Sequence, residues 1–234
     1  MKTRRWPAHL ERRLAARLKR RARVVRTVVL EQLQAVVRHD AADSLFGVGG
    51  LGPRIRLAVR AAQPVTASSL TPIATQIDAS ITATVAADLG ASGTSLTPAT
   101  RTAILAWART TAERIHAAED ALIDRALAAA QDAQNAGGDP LAAARDALDS
   151  AEARVAALAR DAVGDLVAPV TATRAQQLGA DRFRWRTQHD DRVRPAHVAL
   201  EGTVWTWASP PAEEGLPGEA PCCRCWAEPI PVGA

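Results

Sequence analysis

Aliphatic and basic positions alternate at helical spacing from the start of the chain. Leu10, Leu14, Leu18, Val25, Val28, Val29, Leu33, Val36 and Val37 recur every three to four residues, and Arg fills many of the positions between. This period places one apolar stripe on a helix over residues 8–40. Residues 47–53 read Gly-Val-Gly-Gly-Leu-Gly-Pro, a run expected to stop that helix and serve as a linker. No Lys-Ser/Thr follows it, so it is a poor phosphate cradle. Thr71-Pro72, Thr97-Pro98 and Asp139-Pro140 signal three later helix starts. Each sets a capping oxygen before a proline whose fixed φ suits the first helical position. The helix after Thr97 carries Ile104, Ala108, Thr111, Ile115, Ala118, Leu122 and Ala126 and should end near Gln134, before Gly137-Gly138. The helix after Asp139 carries Leu141, Ala144, Leu148, Ala151, Val155, Leu158 and Ala162. The short link makes the two antiparallel neighbours. Pro169 should kink or end the second one, with helix resuming to Gln177 and stopping at Gly179.

The period changes at Phe183. Residues 183–187 and 203–207 alternate as strands do. Asp191 is placed to cap a short helix over 193–200, ended by Gly202. Residues 208–221, rich in Pro, Gly and Glu, read as irregular loop. The expected fold is mainly α with a small C-terminal α+β domain: long helices and an antiparallel helical hairpin, then a compact cap rich in Trp, Cys and His. The segments are a basic N-terminal helix (1–46), a linker (47–69), a helical body (70–180) and the α+β domain (181–234).

Composition narrows the class. At 47% hydrophobic, 234 residues can bury a core, though much of that fraction is Ala, so helices should pack closely. No apolar run nears the roughly 18 residues that span a bilayer, and no signal-peptide pattern is present. A cytoplasmic site of synthesis with no membrane partner is expected. Three Cys there suit metal ligation or free thiols better than a disulfide framework. Charge is uneven. Residues 1–60 hold 15 Lys/Arg against four acids, and the rest hold 14 against 21. A basic head on an acidic body points to double-stranded DNA or an acidic protein partner. The candidate contacts are Arg12, Arg13, Arg17, Lys19, Arg20, Arg21, Arg23 and Arg26; the alternative is a solvated helix face.

Chemistry gathers in the last fifty residues. His197, Cys223 and Cys225 can supply three ligands to zinc, which takes four N, S or O atoms. His189, Asp190, Asp191 or Cys222 can supply the fourth. The other reading is a small core in which these three residues pack and Arg224 pairs with Asp190 or Asp191. If metal binds, a structural staple fits a small domain poor in aliphatics. Arg192 and Arg194 with Asp190 and Asp191 read as a salt-bridged turn ahead of His197, or as contacts to phosphate or a neighbouring subunit. Trp185, Trp205, Trp207 and Trp226 read as core rather than as a base-stacking platform. A Cys223–His197 nucleophile is disfavoured, because neighbouring thiols and Arg224 suit ligation or a structural role better.

The string Trp185, Thr187, Asp191, Arg192, Val193, Arg194, His197, Leu200, Gly202, Pro217, Gly218, Cys223, Arg224, Cys225 resembles the Mu F-like minor head proteins of tailed bacteriophages. Their wider relatives are the head-morphogenesis proteins typified by the minor capsid protein of Bacillus phage SPP1. Arg160, Asp161, Val163, Gly164, Arg174, Leu178, Gly179 and the trailing 226–229 also look like the Mu type. The resemblance covers about residues 155–230; Cys222 departs from it, since Asn is common there, which makes Cys222 a poor ligand candidate. It implies a virion component without catalysis, inside the head near the portal, with the portal and the major capsid or scaffold protein as partners. Such a protein would be oligomeric in the particle and present in the bacterial host cytoplasm during assembly. Some relatives contact DNA; a toxin domain after the motif is not expected here. The alternative is a metal-dependent hydrolase or nuclease acting during packaging, with zinc on His197, Cys223 and Cys225 and Asp191 activating water. A cellular DNA-binding protein from a prophage remnant is a third reading.

Overall fold

The structure, a computed structural model, describes residues 6–38, 50–62, 64–92, 97–149, 151–231 and 233. Seven helices and three strands occur among them: α1 (Ala8–Arg38), α2 (Leu51–Ala61), α3 (Ala67–Leu89), α4 (Pro98–Asn135), α5 (Pro140–Asp149), α6 (Ala151–Gln177), β1 (Arg182–Arg186), α7 (Pro195–Leu200), β2 (Val204–Thr206) and β3 (Trp226–Ile230). The chain is thus mainly α with a small α+β part at its C-terminal end.

These elements form two compact units. One comprises Met1–Leu14, Ala67–Arg109 and Ala159–Ala234; the other comprises Ala15–Thr66 and Thr110–Leu158. In the second unit, Val25, Val29 and Leu33 of α1 share a core with Leu51, Ile55 and Val59 of α2, Leu122, Ile123, Ala126 and Ala130 of α4, and Ala144 and Leu148 of α5. A buried cation sits beside that core. Arg21 bonds Glu119 through Nε (2.5 Å) and Nη2 (3.2 Å), and Nη2 also donates to the Val59 carbonyl at 2.7 Å. Its Nη1 donates to the carbonyl of Ala62. Arg21 thus satisfies carbonyls at the C-terminal end of α2, which have no intrahelical partners.

The linker expectation fails at residues 51–61, which are helix α2. Its Leu51, Ile55 and Val59 are buried at helical spacing, so one apolar face repays its formation. Gly52 and Pro53 fall in its first turn, where a missing amide proton breaks no intrahelical bond. Residues 47–49 lie outside the described residues.

In the first unit, α3 buries Leu70, Ile73, Ala74, Ile77, Ile81, Val85 and Ala86, and it packs against β3. Thr71 is not the cap of this helix. α3 starts at Ala67, which brings Leu70 into the core, and the Thr71 hydroxyl donates back to the Ala67 carbonyl at 3.0 Å. The buried pair Arg174–Asp78 ties α6 to α3 through Nη2 bonds of 2.9 Å to both carboxylate oxygens. The Trp107 indole donates to the Ala162 carbonyl at 2.6 Å, joining α4 to α6.

The other two proline starts hold. Thr97 Oγ1 accepts from the Thr100 amide (3.3 Å), and Asp139 Oδ1 accepts from the amides of Leu141 (2.8 Å) and Ala142 (3.2 Å). α4 ends as expected. Gly137 takes φ 72°, its amide reaches the Gln134 carbonyl, and the Gly138 amide reaches that of Ala133. This double bond pattern closes a helix through a left-handed glycine. On α4 the stripe is interrupted once: Ala118 is exposed and Glu119 is buried instead, as the partner of Arg21. α6 runs through Pro169, whose ring is solvent-exposed, so no break occurs there. It stops before Gly179 (φ 86°).

The sheet is antiparallel in the order β2-β1-β3. Phe183 faces Trp205 and Pro229, and Trp185 faces Ala227. Phe183 and Trp185 are buried while Arg182, Arg184 and Arg186 are half-exposed, so β1 alternates as its pattern requires. β3 was not anticipated from the sequence. Its Pro229 lies on an edge strand, where a missing donor is tolerated.

Candidate metal centre

The site rests on the sheet. β1 ends at Arg186, and the Thr187 amide donates to Glu201 Oε2 at 2.6 Å. Arg186 clamps the same carboxylate (3.0 Å) and Glu228 (2.6 Å). Burial works to raise the Glu201 pKa, but the Thr187 and Arg186 bonds outweigh it and hold the group below its ordinary value. The chain then turns. Asp190 Oδ1 accepts from the Arg192 amide (3.3 Å), and both its oxygens accept from Arg224 Nη2 (2.8 and 2.6 Å). Of the two expected partners for Arg224, Asp190 takes the role.

α7 follows directly. Pro195 occupies its first turn, and Arg194 before it is extended (ψ 146°) with no side-chain cap, as a residue preceding proline prefers. Asp191 is therefore not the cap of this helix; it is exposed. α7 points His197 inward, where it is 2% exposed. The Gly202 amide then donates to the Trp185 carbonyl at 2.9 Å with φ 78°, so a left-handed glycine turns the chain back onto β1.

His197 meets both buried thiols. Its Nδ1 lies 3.4 Å from Cys223 Sγ and 3.4 Å from Cys225 Sγ. Its other nitrogen, Nε2, lies 2.7 Å from Glu214 Oε2. The Trp185 ring stands edge-on to the imidazole at 5.3 Å. The three atoms that could hold a metal ion all lie within 4.8 Å of one another. Zinc bonds of about 2.0–2.1 Å to N and 2.3 Å to S set tetrahedral N and S ligands roughly 3.5 Å apart, so the spacing suits one ion. A carboxylate on the far imidazole nitrogen is also the usual support for a ligating His, since it fixes the tautomer that frees Nδ1.

The thiols are unequal. A hydrogen bond from Cys225 lowers the Cys223 pKa to about 5 against the opposing effect of burial, aided by backbone N–H groups and by His197. Cys225, as donor in that bond and buried, is pushed up. The two thiols titrate as a coupled pair, with Cys223 the more acidic of the two. The Trp185 indole Nε1 is buried without a bond of normal geometry, yet it acts to lower the Cys225 pKa. A thiolate at Cys225 would give that donor an acceptor.

The expected fourth ligands do not converge. Asp191 is outside the cluster, Asp190 is held by Arg224, and His189 is exposed 3.7 Å from Glu201. Cys222 is exposed, with φ 57°, and its amide donates to Asp161 at 2.5 Å. Glu214 was missed by sequence reasoning, because it sits in a loop without periodicity. Trp207 and Trp185 are buried and Trp205 and Trp226 half-buried, in keeping with a core role. Arg192 and Arg194 are exposed, and Arg194 donates to the Pro221 carbonyl.

The basic positions of α1 separate into classes. Arg21 is withdrawn from any DNA contact by its burial against Glu119. Arg13 bonds Gln76, and Arg26 bonds Asp149 at 2.8 Å. Arg17 and Lys19 are half-buried, while Arg12, Arg20 and Arg23 are exposed.

A family model described as phage Mu protein F-like matches residues 82–228. A protein of Haemophilus influenzae, described as uncharacterized, is 33% identical over 92 residues, covering 39% of this chain. The match spans only 21% of that relative's length. No solved structure matches. The family match takes in α4, α6, β1, β2, the start of β3 and every residue of the His–Cys–Cys cluster, well over half of the chain, and on that ground the chain belongs to the phage Mu protein F-like family.

Proposed function

We propose that this chain is a structural minor head protein of a tailed phage or phage-like particle, acting in head morphogenesis near the portal. Membership of the phage Mu protein F-like family carries this reading. The portal and the major capsid or scaffold protein are its partners, and it joins the particle from the bacterial cytoplasm. Among the described residues no helix is long and apolar enough to cross a membrane. Mass spectrometry of purified, nuclease-treated heads tests the proposal: the chain should copurify with portal protein. Its absence from heads of a particle whose genome encodes it would refute the role.

Within that role, His197, Cys223 and Cys225 hold a zinc ion that staples α7 to the C-terminal segment. The matched N–S spacing and the Glu214 support favour this reading. The ion would supply cross-linking where aliphatic side chains are few. The hydrolase alternative required Asp191 to activate water, and Asp191 stands apart from the cluster. Metal analysis of chelator-washed protein should find one zinc per chain, and Cys223→Ser should lose it. Wild-type protein without metal would remove the staple.

DNA contact belongs to exposed Arg12, Arg20 and Arg23 of α1. Removing one phosphate-binding arginine should reduce the slope of log affinity against log salt by about 0.9. Arg20→Gln/Arg23→Gln with an unchanged slope would remove these two from the interface.

A further inference from the structure

The three-residue cluster forms one wall of a pocket of about 90 Å³. The rest of its lining is Gln188, Arg192, Val193, Arg194, Cys222 and Arg224. Among the described residues, three protein atoms converge on the cluster, one fewer than a zinc site takes. The ligand set is therefore incomplete on a side lined by guanidinium groups.

Charge decides what completes it. A divalent ion on two thiolates and a neutral imidazole is electrically balanced. Glu214 behind His197 and Asp190 beneath Arg224 add two negative charges. Arg192, Arg194 and Arg224 line the pocket itself, with no carboxylate among its lining residues, so its wall favours an anion over a neutral water. The guanidiniums also differ in availability. Arg224 is committed to Asp190 through two bonds and is half-buried. Arg192 is 64% exposed and lies 3.5 Å from Asp190, and Arg194 uses one nitrogen on Pro221. Each guanidinium carries five N–H donors, so Arg192 and Arg194 keep donors to offer.

We propose that this pocket is an oxyanion site: a carboxylate or phosphate group completes the metal's ligand set, held by Arg192 and Arg194. The inference rests on the zinc reading. It gives the exposed arginines of the family motif a ligand of stated chemistry. It also places an anion where a hydrolytic mechanism would need water, in keeping with a structural role.

Cobalt(II) in place of zinc in the 234-residue chain provides the test, because thiolate charge-transfer and ligand-field bands report its coordination. Inorganic phosphate and acetate are titrated separately. Saturable change of the ligand-field bands with either supports the proposal, and whichever acts at lower concentration names the preferred oxyanion. Arg192→Gln/Arg194→Gln should weaken that binding about tenfold per guanidinium. Arg192→Lys/Arg194→Lys, which keeps both positive charges, should restore part of it. Bands that respond to neither anion, or an Arg192→Gln/Arg194→Gln protein that binds as tightly as the parent, overturn the oxyanion site while leaving the metal in place. Wild-type protein that forms no thiolate–cobalt band overturns the zinc reading, and this inference with it.

Discussion

Arg21 offers the sharpest quantitative test. It is 5% exposed and Glu119 is 7% exposed, and the guanidinium also serves the Val59 and Ala62 carbonyls at the end of α2. Arg21→Met leaves a buried carboxylate and those carbonyls without the cation. Glu119→Leu leaves a buried cation without its counter-charge. Breaking one side of a buried pair costs about 3–5 kcal/mol, so each single change should cost that much. For a chain of this length about 2–4 °C accompanies each kcal/mol, giving a fall in Tm on the order of 6–20 °C. The double variant Arg21→Met/Glu119→Leu removes both charges. It should be more stable than the sum of the singles implies, by roughly 2 kcal/mol or more; the remaining deficit reflects the α2 carbonyls. Urea unfolding followed by far-UV circular dichroism measures all four proteins. Single changes below about 1 kcal/mol, as expected of an exposed pair, or additivity within about 0.5 kcal/mol, would refute the reasoning. So would a fall in DNA affinity for folded Arg21→Met at low temperature, because that side chain is buried.

A methyl group at Gly164 would collide with the Gly218 carbonyl and touch the Trp6 ring. Gly164→Ala should therefore cost about 1–3 kcal/mol, visible as a lower denaturation midpoint; an unchanged midpoint would mean that the 218 loop gives way. Trp107→Phe removes the indole donor to the Ala162 carbonyl and should cost about 1–3 kcal/mol, by the same measurement. The Arg224 bond holds the Asp190 pKa below its ordinary value of 3.8, helped by Arg224 and Arg192 charge against a burial effect that opposes it. This stability is fully present above pH 3.8 and is lost as pH falls through the depressed folded value. Asp190→Asn should flatten that part of the acid-unfolding curve, and an identical curve would show that the Asp190–Arg224 pair adds nothing.

Much of the fold was legible because local signals and tertiary demand agreed. Thr97-Pro98 and Asp139-Pro140 start helices, Gly137 and Gly179 end them, and residues 183–187 alternate as strand. The failures occur where burial overrode punctuation. Gly52-Pro53 reads as a breaker, yet Leu51, Ile55 and Val59 needed a core and a first turn tolerates proline. Thr71-Pro72 reads as a start, yet Leu70 pulled the helix back to Ala67. Trp226–Ile230 lacked a strong alternating signal and became a strand because β1 offered a free edge and α3 a surface to cover.

What the sequence determined alone was type and kinship: the helical periods, the change to an α+β cap, and the motif that marks the phage Mu protein F-like family. It also marked His197, Cys223 and Cys225 as candidates, and the structure brings these three side chains together. Only the tertiary structure decided which charges were surface and which were interior. Arg21 and Arg12 are alike in the sequence, but Glu119, 98 positions away from Arg21, draws one of them inward. Likewise Glu214 reaches His197 and Asp191 does not. Ligation and ion pairing depend on distances of a few ångströms between segments far apart in sequence, and those distances exist only once the core has packed.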